Sequence, residues 1–410
     1  MIGVAEAIAR LERGELSAEQ LVRDCLARIA EREPAVQAWE SLDEEGALRE
    51  ARRIDRLRER PPLGGLPVGI KDLIDTKDLP TSYGSPIHRG HRPAADAECV
   101  RRLREAGAIV LGKTVTTEFA VYTPGKTRNP RDPARTPGGS SSGSAAAVAD
   151  GMVPAALGSQ TAGSVIRPAS FCGVIGFKPS HGVIPLAGVH PLAPSLDTLG
   201  FFVRKIEDAV PVLEVLSGRP PLKIVRSRPR LGFVRTEAWP RAAPETRHAV
   251  EDASRRLGAG EIDLGPSFAG LVEVQIAIMG AEANEAMRAE PREGLSPRLQ
   301  KFLQEGADVA PGRLRAAYEQ AERCRRETDA MFQRIDALVT PAVVGEAPIG
   351  LEATGDPLFC RIWTLLRTPC LSLPLLEGPA RLPVGLQVVG PRGDEGRLLA
   401  AATWILREMR

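Results

Sequence analysis

Pro137-Gly138-Gly139-Ser140-Ser141-Ser142-Gly143-Ser144-Ala145-Ala146-Ala147-Val148-Ala149, followed by Ser159-Gln160-Thr161-Ala162-Gly163-Ser164-Val165-Ile166-Arg167-Pro168, decides how this chain is read. Two small-residue turns each present a serine, with a helix-forming alanine run between them. Small residues leave room for a substrate carbonyl and let backbone N–H groups approach it. The pattern points to acyl transfer. Outward from this tract the apolar runs are short and bounded by turn residues. Leu66–Ile70 reads as a buried strand ending at Lys71-Asp72, residues 96 to 106 as a helix closed by Gly107, and Ala108–Gly112 as a second strand.

Beyond the tract, Gly173–Phe177, Leu231–Val234, Ala337–Thr340, Cys370–Leu373 and Val384–Val389 read as strands. Ala316–Ile335 and Asp394–Met409 read as helices. The first sixty residues read as mainly helical, with a capping box at Ser17-Ala18-Glu19-Gln20. The expected organisation is one domain, 1–410. It divides into a helical start (1–65), a core carrying the motifs (66–220), a variable substrate-shaping region (221–335) and closing strands with a helix (336–410).

Fifty-four basic and 52 acidic residues give a net charge of +2, which forms no evident nucleic-acid or membrane surface. The expected partner is a small molecule tolerated without charge; neither nucleic acid nor membrane is expected, and a homodimer is left open. No apolar run reaches the ~20 residues of a membrane span. Six scattered cysteines without a C-x-x-C pair, and a start without a signal-peptide pattern, suit the cytoplasm.

A serine nucleophile needs a base. Gly139–Gly143 satisfies G-x-S-x-G, but Asp132–Pro137 cannot be the strand that must precede that motif, and no histidine follows His248. The strand-to-helix G-x-G-x-x-G signature of dinucleotide binding is missing. Lysine remains. The chain has eight lysines, leaving 46 of its 54 basic residues as arginine, which cannot act as a base. Lys71, at the tip of an apolar strand, is placed to lose its proton by burial; the competing reading is a surface lysine paired with Asp72. Helix capping is the expectation for Ser141, Ser142 and Ser144, core packing for Cys172, and a place in a wall or the core, rather than a role as base, for His181. Asp72, Asp197 and Arg128 are read as residues that orient loops.

Taken in order, Gly69–Asp72, Pro137–Ala149, Thr161–Ser164, Phe171–Pro179 and Ser195–Gly200 resemble the amidase signature family. Weaker likeness continues through Asp336–Pro341 and Leu382–Gln387. The resemblance implies an α/β/α sandwich around a large mixed sheet. It also implies a Ser-cisSer-Lys triad of Ser164 as nucleophile, Ser140 as bridging serine after a cis Gly139–Ser140 bond, and Lys71 as base. Backbone N–H groups of Thr161, Ala162, Gly163 and Ser164 would form the oxyanion hole. The implied activity is hydrolysis of a small or medium carboxamide to a carboxylate and ammonia or an amine, with no metal and no cofactor. Two alternatives share the core: a glutaminase component of an amidotransferase, which passes ammonia to a tRNA-amidating complex, and a catalytically silent scaffold.

Where many family members read Asp-Thr-Gly-Gly-Ser-Ile-Arg, this chain has Gln160, Ala162 and an arginine, Arg167, three residues after the serine rather than two. An acid and its arginine have changed together. The expectation is that a Gln160-centred hydrogen-bond arrangement replaces an ion pair bracing the loop, since losing one partner alone would strand a charge.

Overall fold

The computed structural model describes residues 2–219, 222, 224 and 227–409. The boundary expected at 220–221 lies outside them. Eleven strands form one mixed sheet among the described residues. They are β1 (Trp39–Leu42), β2 (Pro67–Lys71), β3 (Ile109–Thr114), β4 (Ala155–Gln160), β5 (Ile175–Lys178), β6 (Thr198–Val203), β7 (Leu231–Val234), β8 (Gly260–Ile262), β9 (Ala337–Pro341), β10 (Cys370–Glu377) and β11 (Pro383–Val389). Their order across the sheet is β1-β3-β2-β4-β6-β5-β10-β11-β9-β7-β8. Helices cover the sheet in an α/β/α sandwich.

β2 lies parallel between β3 and β4, and all five of its residues are buried. A strand covered on both faces needs a continuous apolar run, and Pro67 sits at its first position, where a missing N–H does least harm. Lys71 ends this strand.

The alanine-rich helix Ser142–Ala149 is buried on nearly every side, as its all-small, apolar composition requires. A Cβ on Gly143 would lie 2.2 Å from the Ala38 carbonyl and 2.4 Å from the Val115 nitrogen. Only glycine lets this helix approach the end of β3 so closely.

Several elements differ from the sequence reading. The helical start carries β1, which pairs antiparallel with β3 and was hidden among helices. Ser17 does cap the helix Ala18–Val36 by accepting from Gln20 N at 3.0 Å. The box is only half formed, because the Gln20 side chain donates to Asp24 instead. Thr198–Val203, read only as part of a motif, is β6, wedged between β4 and β5. The region 221–335 does more than shape a pocket: β7 pairs with β9 and β8, and so extends the sheet.

Candidate active site

β2 delivers Lys71 into the protein interior at 0% exposure. Its Nζ donates to Ser140 Oγ at 2.7 Å and to Ser159 Oγ at 2.8 Å. Burial lowers the pKa of the amine to about 7, against a smaller raising effect of Asp197. A lysine half deprotonated near neutral pH can accept a proton. The competing reading fails: Asp72 lies 3.7 Å from Lys113 Nζ rather than pairing with Lys71. Asp72 also accepts from the Ser82 hydroxyl and backbone N–H, which fixes the loop after β2.

The Gly139–Ser140 peptide bond is cis, and Gly138 before it has a φ of +82°, a region open to glycine at no steric cost. Ser141, which precedes the helix Ser142–Ala149, does not cap it, and neither do Ser142 and Ser144 in its first turn. Ser141 Oγ donates to the Ser159 carbonyl and accepts from the Ser159 N–H, both at 3.2 Å. Ser142 Oγ donates to Val115 O, and Ser144 Oγ to Leu157 O. A helix packed against two strands has buried carbonyls nearby, and these outcompete its own first turn for the hydroxyls.

β4 runs into the second loop. Gln160, 1% exposed, accepts from the backbone N–H of Val165 at 2.9 Å and Ile166 at 3.0 Å, while its Nε2 donates to Thr364 Oγ1 at 3.0 Å. The expected Gln160-centred arrangement is what ties this loop. From the other side, Thr161 Oγ1 donates to Asp197 at 2.5 Å, and Asp197 also accepts from Leu192 N and Ala193 N. The backbone N–H groups of Thr161, Ala162, Gly163 and Ser164 find no acceptor among the described residues. Four donors on one tight turn, with nothing to bind, are what an oxyanion requires.

Ser140 and Ser164 share a cavity of about 50 Å³ whose wall includes Thr117, Tyr122, Arg167 and Arg361. Ala120 and Tyr122 in its wall, and Phe119 next to Ala120 in sequence, hold φ values of 62°, 27° and 46°, the left-handed region that non-glycine residues seldom adopt. Arg167 is not in an ion pair; its Nη2 donates to Gly139 O at 2.7 Å and Thr354 Oγ1 at 3.1 Å. A larger cavity of about 580 Å³ includes Ser180 and His181 in its lining. There Ser180 Oγ accepts from Gly393 N and His181 Nε2 faces Pro194 O, so no serine is paired with a base. Cys172 is fully buried, with its thiol pKa pushed up by desolvation, which fits core packing. Arg128 holds the Pro133 carbonyl.

Sequence reasoning missed four residues here. Ser159 was visible in the motif but had no assigned role. Gln275, Arg361 and Thr364 come from helices far along the chain; Gln275 bonds the loop at Thr161, Thr364 bonds it at Gln160 and Ala162, Arg361 bonds Gln275, and none of these contacts has a sequence signal. A further buried lysine, Lys113, is satisfied by Thr81 Oγ1 and the Ile74 carbonyl and stands outside the cavity.

The sequence matches the amidase family over residues 20–399. It is 34% identical to the A subunit of glutamyl-tRNA(Gln) amidotransferase from Anaeromyxobacter dehalogenans (strain 2CP-C), covering 100% of this chain and 96% of the relative. A crystal structure of an amidase superposes with a TM-score of 0.90 at 34% identity, covering 99% of both chains. The peptide amidase of Stenotrophomonas maltophilia superposes with a TM-score of 0.82 at 29% identity, covering 100% of this chain and 97% of that one.

Proposed function

The chain belongs to the amidase family and is an amide-hydrolysing enzyme, and on that premise we propose that Ser164 is its nucleophile, Ser140 the relay and Lys71 the base. Neutral Lys71 accepts the Ser140 proton as Ser140 accepts that of Ser164, and Ser164 Oγ attacks the amide carbon. The carbonyl oxygen becomes an oxyanion held by the N–H groups of Thr161, Ala162, Gly163 and Ser164, where one donor contributes ~3 kcal/mol to the transition state. The tetrahedral intermediate expels the amine, which leaves with the proton returned through Ser140. Water, deprotonated by the same relay, then cleaves the ester and frees the carboxylate.

The observation that carries this reading is the 2.7 Å contact from a buried, weakly basic Lys71 to Ser140, which shares a cavity with Ser164. A fluorophosphonate followed by peptide mapping tests it. Modification at Ser164 is expected; modification at Ser141 instead would overturn the assignment.

The stand-alone enzyme releases ammonia or an amine to solvent, from copies of this one chain, a homodimer among the options. A second reading draws on the similarity to a component of a tRNA amidotransferase. On that reading, ammonia freed from glutamine passes to partner chains. Purification from the native host separates the two: partner chains in stoichiometric amount would support the second. Action in the cytoplasm is supported by six buried cysteines, all of them free.

A further inference from the structure

The wall of the larger cavity, about 580 Å³, carries Arg219, Arg367, Arg392 and Arg397 against one carboxylate among the described residues, Asp329. Three of these arginines have acidic partners. Arg392 forks onto Asp329 through Nε and Nη2, Arg397 Nε donates to Asp336 at 2.9 Å, and Arg219 lies 3.6 Å from Glu395. Arg367 forms no ion pair with an Asp or Glu among the described residues. Its one side-chain hydrogen bond there runs from Nε to the Ser195 carbonyl at 3.3 Å, which leaves both Nη groups without an acceptor. Burial lowers the pKa of His181 in the same wall, and the charges that lower it further, Arg367, Lys178 and Arg325, are all basic.

The backbone at Arg367 is of a kind that suits glycine. After the helix Leu358–Leu365, Arg367 N donates to Thr364 O at 3.0 Å and Thr368 N to Trp363 O at 3.3 Å, the paired bonds of a Schellman stop. Arg367 holds the left-handed position of that stop, with a φ of 62°. Glycine is usual there, because a Cβ in this region is strained. The fold gains little from arginine in return: one long bond to a neighbouring carbonyl. A strained residue whose side chain does little for the fold, yet lines a cavity, points to a ligand.

The cavity is far larger than the volume of about 50 Å³ beside Ser164, and it falls in the range of small-molecule sites. Val183 and Phe332 give it apolar wall for an organic body. Arg392 Nη1, outside the fork onto Asp329, adds donors beside those of Arg367. Planar guanidinium donors match phosphoryl oxygens in pairs, and two neighbouring arginines suit a doubly charged group.

We infer that this cavity is a second binding site, separate from the amide-cleaving one, for a phosphate group that is free or carried by a small organic ester. Arg367 holds the phosphoryl oxygens, Arg392 adds a second guanidinium, and the apolar wall receives the organic part.

Calorimetry in phosphate-free buffer tests it on the whole protein. Glycerol 3-phosphate and AMP are compared with glycerol and adenosine, with inorganic phosphate, and with succinate as a dianion of another shape. Binding of one phosphate compound per chain is expected, with none of its phosphate-free counterpart. Tighter binding of an ester than of inorganic phosphate would identify the ester as the ligand, and equal binding would identify free phosphate. Arg367→Asn, which keeps a residue at ease in the left-handed region, is expected to weaken binding on the order of 10- to 100-fold. The Tm of that variant without ligand should match or exceed the wild type, since strain is relieved and no ion pair is lost. No binding of any phosphate compound at millimolar concentration would overturn the inference, as would succinate binding as well as the best of them. So would binding that survives Arg367→Asn and is lost in Arg361→Met, which would put the anion in the smaller cavity. A fall in Tm of Arg367→Asn with binding intact would show that the guanidinium serves the fold instead.

Discussion

Ser159 Oγ accepts a hydrogen bond from Lys71 Nζ at 2.8 Å, so the amine is shared between this hydroxyl and that of Ser140. A second acceptor fixes where the Lys71 side chain ends, and it favours the protonated amine. Ser159→Ala should therefore lower kcat by roughly 10-fold, as the freed amine loses its aim at Ser140. It should also move the acidic limb of the pH–rate profile to lower pH. A profile with unchanged midpoint and rate would show that Ser159 is a bystander.

In the wild type, kcat/KM should rise with pH and level off, with a midpoint near the value of about 7 that burial imposes on Lys71. The sign follows from the role, since only the deprotonated amine accepts a proton. Lys71→Arg should be inactive throughout, because a guanidinium does not deprotonate.

The same group shapes stability. Lys71 has a folded-state pKa of about 7 against an ordinary 10.5, so between those values the unfolded chain binds more protons than the native one. Its contribution therefore becomes less unfavourable as pH rises through that window, and the penalty is full below it. Lys71→Met should raise Tm relative to wild type more at pH 6 than at pH 9, while abolishing turnover. Thermal unfolding at the two pH values gives the comparison directly.

Ser141, the serine of the G-x-S-x-G match, has its hydroxyl engaged by the Ser159 backbone. Ser141→Ala should keep amide hydrolysis and the labelling of Ser164, at a cost in stability of about 1–2 kcal/mol from the two lost hydrogen bonds. Denaturant titration measures the second and ammonia release the first.

Gln160→Ala removes the acceptor of the Val165 and Ile166 N–H groups and the donor to Thr364. Buried donors left without partners cost about 1–3 kcal/mol each. A clear fall in unfolding midpoint is expected, together with a fall in kcat as the loop that carries the four N–H donors loosens. Loss of stability with unimpaired kcat would mean that the loop holds its shape without Gln160.

Much of this site was legible because its chemistry lies in contiguous motifs. Lys71 at the tip of an apolar run and the two serine loops are each local, and their order along the chain carried the family resemblance. Other features depend on tertiary contact. Ser142 and Ser144 looked like capping residues until strand carbonyls stood within reach of their hydroxyls. Arg361 looks like any of 46 arginines in the sequence, and only the packing of its helix against Gln275 takes it out of solvent. The near-zero net charge of the chain gave no hint that two cations were gathered in one small cavity, since a sum over the whole molecule conceals a local excess.

Placing Lys71 on β2 and the Ser164 loop on β4 has a consequence for how this protein fails. The two strands are parallel neighbours, with Val68 opposite Ala155 and Gly69 opposite Ala156. Their separation is the spacing of one backbone ladder, ~4.8 Å, and not the reach of a mobile arm. These central strands belong to the part of a molecule that opens only with global unfolding. Heat inactivation and loss of the native sheet should then be a single cooperative event, and amide exchange in β2 and β4 should be as slow as any in the chain.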